Sequence, residues 1–268
     1  MPSRQKRLPV KRIRKIRTCF LSSWLFSKGR SKNLNPTLST SVGTSNWELR
    51  QAPVVSPKNE SLEKLLEKQV VTVPSPNSPG EWSNQVPACS GYATSAGNRK
   101  NSIDLVHECK SSGECSLIEL KVSTRSGTPF YATYENLSYG FLYLLTRTNE
   151  RLRSIFEGAS DKTILKAKKI RLIVLAPTYY YEEDKKFGAL LNRLENRVHE
   201  ALGTFADAKV PGLEMGFEFR HFNNPVSSKQ EINSFEGFDP APYGQRVLLS
   251  LNSHKTPPSS ARPCSSCP

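Results

Sequence analysis

The order of apolar patterns along this chain predicts an α/β (α+β) fold, a mixed central sheet flanked by helices. Three observations carry that expectation. Between Ile103 and Val122, two short arms rich in apolar and β-branched residues flank a polar tip at Lys110–Glu114, the pattern of a β-hairpin. Thr128-Pro129 then opens a long segment in which Phe130, Tyr134, Leu137, Phe141 and Leu144/Leu145 recur at helical spacing. Finally Ile170–Ala176 is a nearly continuous apolar run ended by Pro177, which predicts a central strand covered on both faces. The full order is helix, two hairpin strands, helix, strand, helix, strand.

The ends of the chain differ from its middle. Of 268 residues with a net charge of +14, residues 1–47 hold eleven Lys and Arg and no acid, and residues 245–268 hold three and no acid. The stretch 48–244 is therefore neutral, with 24 basic and 24 acidic residues. Basicity belongs to the termini, and any phosphate-binding surface in the middle must come from local clustering. Six cysteines at 19, 89, 109, 115, 264 and 267 show no framework spacing, which favours a reducing, intracellular setting. Cys264 and Cys267 have the spacing of half a zinc site, with no second Cys or His pair near them. No apolar run is long enough to span a membrane.

Residues 1–55 read as a basic arm. Ile13, Ile16, Phe20 and Trp24 recur at helical spacing among Arg12, Arg14, Lys15 and Arg17, and the sequel is Ser-rich and free of acid. This resembles an organellar transit peptide, mitochondrial or plastid, if the source is eukaryotic; an arm for anionic lipid or nucleic acid, or a plain disordered tail of a cytoplasmic protein, are the alternatives. The folded domain is expected over 56–251, with a disordered tail over 252–268. Its first helix is predicted to start at Ser56 with Pro57 at the first helical position, and Leu62, Leu65 and Leu66 mark its buried side. Residues 74–100, full of Pro, Ser, Gly and Asn, read as a loop with Trp82 and Tyr92 as isolated anchors.

The second hairpin arm poses the chemical question. Alternation puts Ile118, Leu120 and Val122 on one face and Glu119 and Lys121 on the other, an acid and a base about 7 Å apart on what should be a core strand. Burying such charges is costly unless they are paired or hold a metal. With a two-residue loop at Ser112-Gly113, Ser111 would pair with Glu114 and Asp104 would lie opposite Lys121, diagonal to Glu119. With a three-residue loop and a bulge at Gly113, Asp104 would face Leu120 and the cluster would break.

An Asp at the head of one strand and a Glu-x-Lys on the next resemble the PD-(D/E)XK nuclease superfamily, with its restriction-endonuclease-like αβββαβ core. The resemblance covers the chain from the helix near Glu60 to the strand near His221, with Ile103 in place of the motif's proline and one of three strands before the long helix unassigned. It implies that Asp104, Glu119 and the carbonyl of Leu120 hold Mg²⁺ or Mn²⁺, and that Lys121 positions or polarises the attacking water. Hard oxygen ligands suit Mg²⁺, and a metal with a nearby ammonium suits charge developing on a phosphate. The first helix of the family often adds an acid, for which Glu60, Glu63 and Glu67 are candidates, Glu63 lying nearest the apolar side. The implied function is hydrolysis of phosphodiester bonds, most directly in DNA. The alternatives are a catalytically inactive nucleic-acid-binding or scaffold protein on the same fold, and an interaction domain without nuclease ancestry.

Other candidates have plainer readings beside the functional one. Glu135, Asn136 and Tyr139 lie beside the helical stripe and are within plausible reach of a phosphate or bound water. Arg147, Arg151 and Arg153 form a cluster suited to backbone phosphates or merely to solvent. Tyr179, Tyr180 and Tyr181 follow the central strand on an expected loop, where base stacking competes with packing. After them, Phe187, Leu190, Leu191, Leu194, Val198 and Leu202 predict a helix ending near Gly203, and Leu213–Arg220 a half-buried strand. Arg246–Leu251 is a short candidate strand. His107 and His221 are read as structural.

Overall fold

The computed structural model describes residues 46–49, 61–72, 81–88, 102–109, 111–123, 127–157, 162–182 and 188–222. In chain order these form α1 (Leu62–Thr72), β1 (Glu81–Pro87), β2 (Ser102–Cys109), β3 (Glu114–Leu120), α2 (Pro129–Thr148), α3 (Glu150–Glu157), a 3₁₀ turn (Thr163–Lys166), β4 (Lys169–Pro177), α4 (Thr178–Glu182), α5 (Gly188–Lys209) and β5 (Glu214–Phe222). The strands make one mixed sheet in the order β1-β2-β3-β4-β5. β2 is antiparallel to both β1 and β3, and β3, β4 and β5 are parallel. Parallel neighbours need crossover connections, which α2 and α5 supply.

Both faces of the sheet are covered. Ala132, Tyr143 and Leu144 of α2 and Leu202 and Ala206 of α5 pack with Leu117, Leu172, Val174 and Phe217 on one side. Leu66 and Val70 of α1 pack with Leu105, Ile118, Leu120, Ile173 and Leu175 on the other. Two-sided burial explains why Ile170–Ala176 lacks the alternation of a half-exposed strand. Among the described residues, no helix is long and apolar enough to cross a membrane.

Four expectations are corrected. The stretch 74–100 contains β1, whose sequence Glu-Trp-Ser-Asn-Gln-Val-Pro carries too many polar residues to signal a strand, because it pairs on one side only. The hairpin closes neither at Ser112-Gly113 nor with a bulge: Cys109 pairs with Glu114, and Gly113 takes the left-handed φ of +64° that the four-residue turn requires. The buried face of α2 is Ala132, Thr133, Asn136, Gly140, Tyr143 and Leu144, rotated from the aromatic stripe, and Phe130 and Tyr134 are 37% and 51% exposed. Small residues win that face because the helix lies close to β4: a Cβ on Gly140 would come within 2.6 Å of Leu172. Lastly, α5 runs past Gly203 to Lys209, with Leu190 exposed.

Trp47, within the expected arm, is fully buried, donates its backbone N–H to Pro87 (2.9 Å) and meets Tyr143 edge-on. The first helix begins at Leu62, after a non-helical Ser61, and not at Ser56 as expected. The strand expected at Arg246–Leu251 lies outside the described residues, as do Cys264 and Cys267.

Candidate active site

Asp104 sits where two strand ladders fail. On one side, Asn84 pairs with Leu105 and Val86 with Ile103, but the intervening rung of Gln85 and Asp104 is missing, and Gln85 takes a left-handed φ of +51°. That conformation costs a non-glycine residue roughly 1–2 kcal/mol and clusters where function demands it. On the other side the β2–β3 ladder ends at Leu105–Ile118, while β3 stays paired with β4 through Leu120–Leu175. Instead of a backbone carbonyl, the Asp104 carboxylate takes the Leu120 N–H, Oδ2 lying 3.1 Å from the nitrogen.

The observed register, continued one rung, sets Asp104 opposite Glu119 rather than Lys121. This is a slip of two residues from the expected pairing, and because side chains alternate with a period of two it keeps Asp104, Glu119 and Lys121 on one face. The sequence-predicted trio is thus brought together, in a geometry other than the one expected.

On the α2 side, Lys121 lies 2.6 Å from Glu119 Oε1 and 3.0 Å from Glu135 Oε2. Glu119 is 3% exposed and Lys121 5%. Burial alone would lower the lysine pKa, but the Glu119 and Glu135 carboxylates outweigh it and hold the ammonium charged. Burial and the neighbouring Asp104 charge push Glu119 up. Its second oxygen, Oε2, is buried without a hydrogen-bond partner, and both amide atoms of the fully buried Asn136 are likewise unpartnered. Such unpartnered groups cost on the order of 1–3 kcal/mol each.

On the α1 side, the acid that matters is Glu67, which is fully buried, with Glu63 half-buried beside it. Lys64 Nζ lies 2.7 Å from Glu67 Oε1 and 3.4 Å from Asp104 Oδ1. Gln85 Nε2 donates to Glu67 Oε2 (2.7 Å) and to Asp104 Oδ1 (3.3 Å), and Ser102 Oγ donates to Gln85 Oε1. Tyr139 extends the chain by donating to the Ser102 carbonyl. Burial first, and then Asp104, push the Glu67 pKa up to about 8. Glu63, Glu67 and Asp104 each offer an oxygen within 4.8 Å of the others, a set able to hold a metal ion. The contact of Leu120 with this cluster runs through its N–H; the role expected for its carbonyl is a separate matter.

Sequence reasoning named Glu67 but ranked Glu63 above it, and missed Lys64 and Gln85. Gln85 carries no signal, since only the missing rung makes its side chain a contributor. The remaining candidates have structural roles or lie elsewhere. Arg147 donates to the Tyr143 hydroxyl and to the Ala167 carbonyl, twelve residues and about 18 Å along α2 from Glu135. Arg153 is exposed, and the Arg151 side chain is outside what is described. Tyr179–Tyr181 fall in α4 and pack inward: Tyr179 donates to the Val122 carbonyl, Tyr180 is buried, and Tyr181 donates to Val174 and Arg220 carbonyls. His107 stacks on Trp82, and burial lowers its pKa to about 4, while His221 is exposed at the end of β5. A cleft of about 490 Å³ at the other end of the sheet is lined by Lys169, Arg171, His199 and Asp207, but both cations there face Glu114.

Comparison with protein-family models, with curated proteins and with solved structures finds no match to this chain.

Proposed function

We propose that the chain is a metal-dependent nuclease of the PD-(D/E)XK type that hydrolyses phosphodiester bonds, with DNA as the first substrate to test. The observation that supports this reading best is the convergence of Asp104, Glu119 and Lys121 at the point where both ladders around β2 are interrupted. Strand pairing has been given up there in favour of a buried charged cluster, which stability alone does not reward. The element order also fits the resemblance, since β1 supplies the third strand before the long helix.

The donor set suits a hard divalent cation: Asp104, Glu67 and Glu63 offer carboxylate oxygens within 4.8 Å of one another, and Glu119, outside that set, adds a buried, unpartnered Oε2 on the same strand face as Asp104. When bound, Mg²⁺ or Mn²⁺ would lower the pKa of a water and neutralise phosphate charge. Lys121, clamped by Glu119 and Glu135, is a fixed positive charge and not a proton acceptor. Its contribution is to polarise the attacking water and stabilise charge as water attacks phosphorus and the bond to the leaving oxygen breaks. The products are a phosphate monoester and a free hydroxyl.

The alternative is a catalytically silent nucleic-acid-binding or scaffold protein on the same fold. One observation favours it: Lys64 already places a cation among Glu67 and Asp104. Nicking of plasmid and of single-stranded DNA with Mg²⁺ or Mn²⁺ separates the two. Cutting by the wild type that disappears in Glu119→Ala is the expected result; equal inertness of both proteins favours the silent reading, and equal cutting by both places the activity elsewhere.

A further inference from the structure

The first turns of α2 carry an aromatic surface that the fold does not use for its core. Phe130, Tyr131 and Tyr134 are 37%, 53% and 51% exposed, three of the five large exposed hydrophobic residues among those described. Concentrated in five positions, they form one patch, because residues three and four apart on a helix are neighbours. The patch is adjacent to the charged cluster: Tyr131 is one helical turn before Glu135, whose carboxylate holds Lys121 at 3.0 Å. Exposure here does not mean that the ring is loose. Tyr131 Cδ1 would lie 3.1 Å from a Cβ on Gly127, so the ring leans on the Gly127 backbone, which has a φ of +112° open to glycine. Its backbone N–H is tied to the Thr128 hydroxyl cap, and Glu135 is the chief charge acting on its phenol.

We propose that Phe130, Tyr131 and Tyr134 form a base-stacking platform and that the substrate is a nucleic acid with unpaired bases, a single strand or a frayed end, not continuous duplex. This rests on the nuclease reading of the adjacent cluster. Aromatic rings can stack on a base only if its face is free, and in a duplex those faces are hidden inside the stack. Stacking is also a source of affinity that does not depend on net charge. Residues 48–244 carry equal numbers of acidic and basic side chains, so net charge gives the core no general attraction for phosphate, and the basic termini attract any nucleic acid alike.

The test uses the full chain bearing Glu119→Ala, without added metal, at a salt concentration that screens the basic termini. Fluorescence anisotropy compares a labelled oligothymidylate with a blunt duplex of matched length, for this protein and after adding Tyr131→Ala and Tyr134→Ala together. The expected result is a loss of about tenfold or more in single-strand affinity, with duplex affinity nearly unchanged and Tyr131→Phe retaining most of the binding. Since the rings are exposed, thermal melting should confirm that the variants fold. Unchanged single-strand affinity, or equal losses on both probes, overturns the platform. So does sedimentation showing that the two substitutions dissociate a dimer while leaving oligonucleotide binding intact. The outcomes stay distinct from those of the nicking assay. Ring-dependent binding without cutting would retain the platform and refute the nuclease, and ring-independent cutting would do the reverse.

Discussion

Two lysines lie among acids on opposite sides of Asp104, and they differ in one respect that decides their roles. The Lys121 side chain is 7% exposed and touches Glu119 and Glu135 at 2.6 and 3.0 Å. Lys64 touches Glu67 and Asp104 at 2.7 and 3.4 Å, but 29% of its side chain is exposed. A sealed ion pair cannot open without stranding a charge in a poor solvent. A part-exposed ammonium on a flexible stem can turn outward and be hydrated. Similar numbers of charges therefore give a permanent cation on the α2 side and an exchangeable one on the α1 side. Burial, more than composition, separates the ammonium that is locked into the fold from the one that can turn out to solvent.

The strongest way to break this contrast is Lys121→Met. Removing the sealed ammonium leaves Glu119 and Glu135 facing each other without compensation, and unfolding in urea near pH 8 should show a loss of about 3–5 kcal/mol. The loss should be largest above about pH 9, where Glu119 ionises beside Lys121 in the wild type, and shrink as the pH falls through that value. On the nuclease proposal, phosphodiester cleavage should vanish with the lysine. A variant as stable as the wild type at pH 8 would mean that the pair is more solvated than its geometry indicates.

Much of this arrangement was legible in the sequence, and the failures have physical causes. The trio of Asp104, Glu119 and Lys121 could be read because alternation fixes the face, and the face survived a two-residue error in register. Gln85 was illegible because its role comes from a backbone conformation, not from its type. The aromatic residues were exchanged. Phe130 and Tyr134 looked like core at helical spacing, yet Ala132, Thr133, Asn136 and Gly140 took the inner face because α2 lies so close to Leu172. Tyr179–Tyr181 looked like loop residues available to a base, yet α4 turns them into the sheet, where their hydroxyls find carbonyls or, for Tyr180, none. Periodicity reports which residues share a face; the distance to the neighbouring element decides which face is buried.

A smaller effect sharpens the α1 side. The Glu67 pKa of about 8 exceeds its ordinary value of 4.5, so the folded protein holds this proton more tightly than the unfolded chain does. The stability tied to that proton is complete below pH 4.5 and is lost as the pH rises through about 8. Glu67→Gln abolishes the titration. Its melting temperature should match that of the wild type near pH 4.5 and exceed it by several degrees above pH 8. Saturating Mn²⁺ should narrow the gap at high pH by stabilising ionised Glu67 in the wild type, and chelation should restore it. A pH-independent difference would show that the effect of the substitution comes from the Gln85 and Lys64 contacts instead.

The smallest change in stability is expected from Lys64→Ala, although its consequence for metal binding is the most telling. Glu67 keeps the Gln85 amide at 2.7 Å and can take up a proton in place of the lost ammonium. The cost near pH 7 should therefore stay within about 1 kcal/mol, as for other part-exposed pairs. Removing the tethered cation also removes the competitor for the Glu63, Glu67 and Asp104 oxygens. Mn²⁺ titrated calorimetrically should then bind several-fold more tightly to Lys64→Ala than to the wild type, with more protons released, because Glu67 without the facing ammonium holds its proton more tightly until the metal displaces it. Weaker binding would reverse the assignment: Lys64 would be holding the three acids in place for the metal, and both lysines would then be fixed parts of a single site.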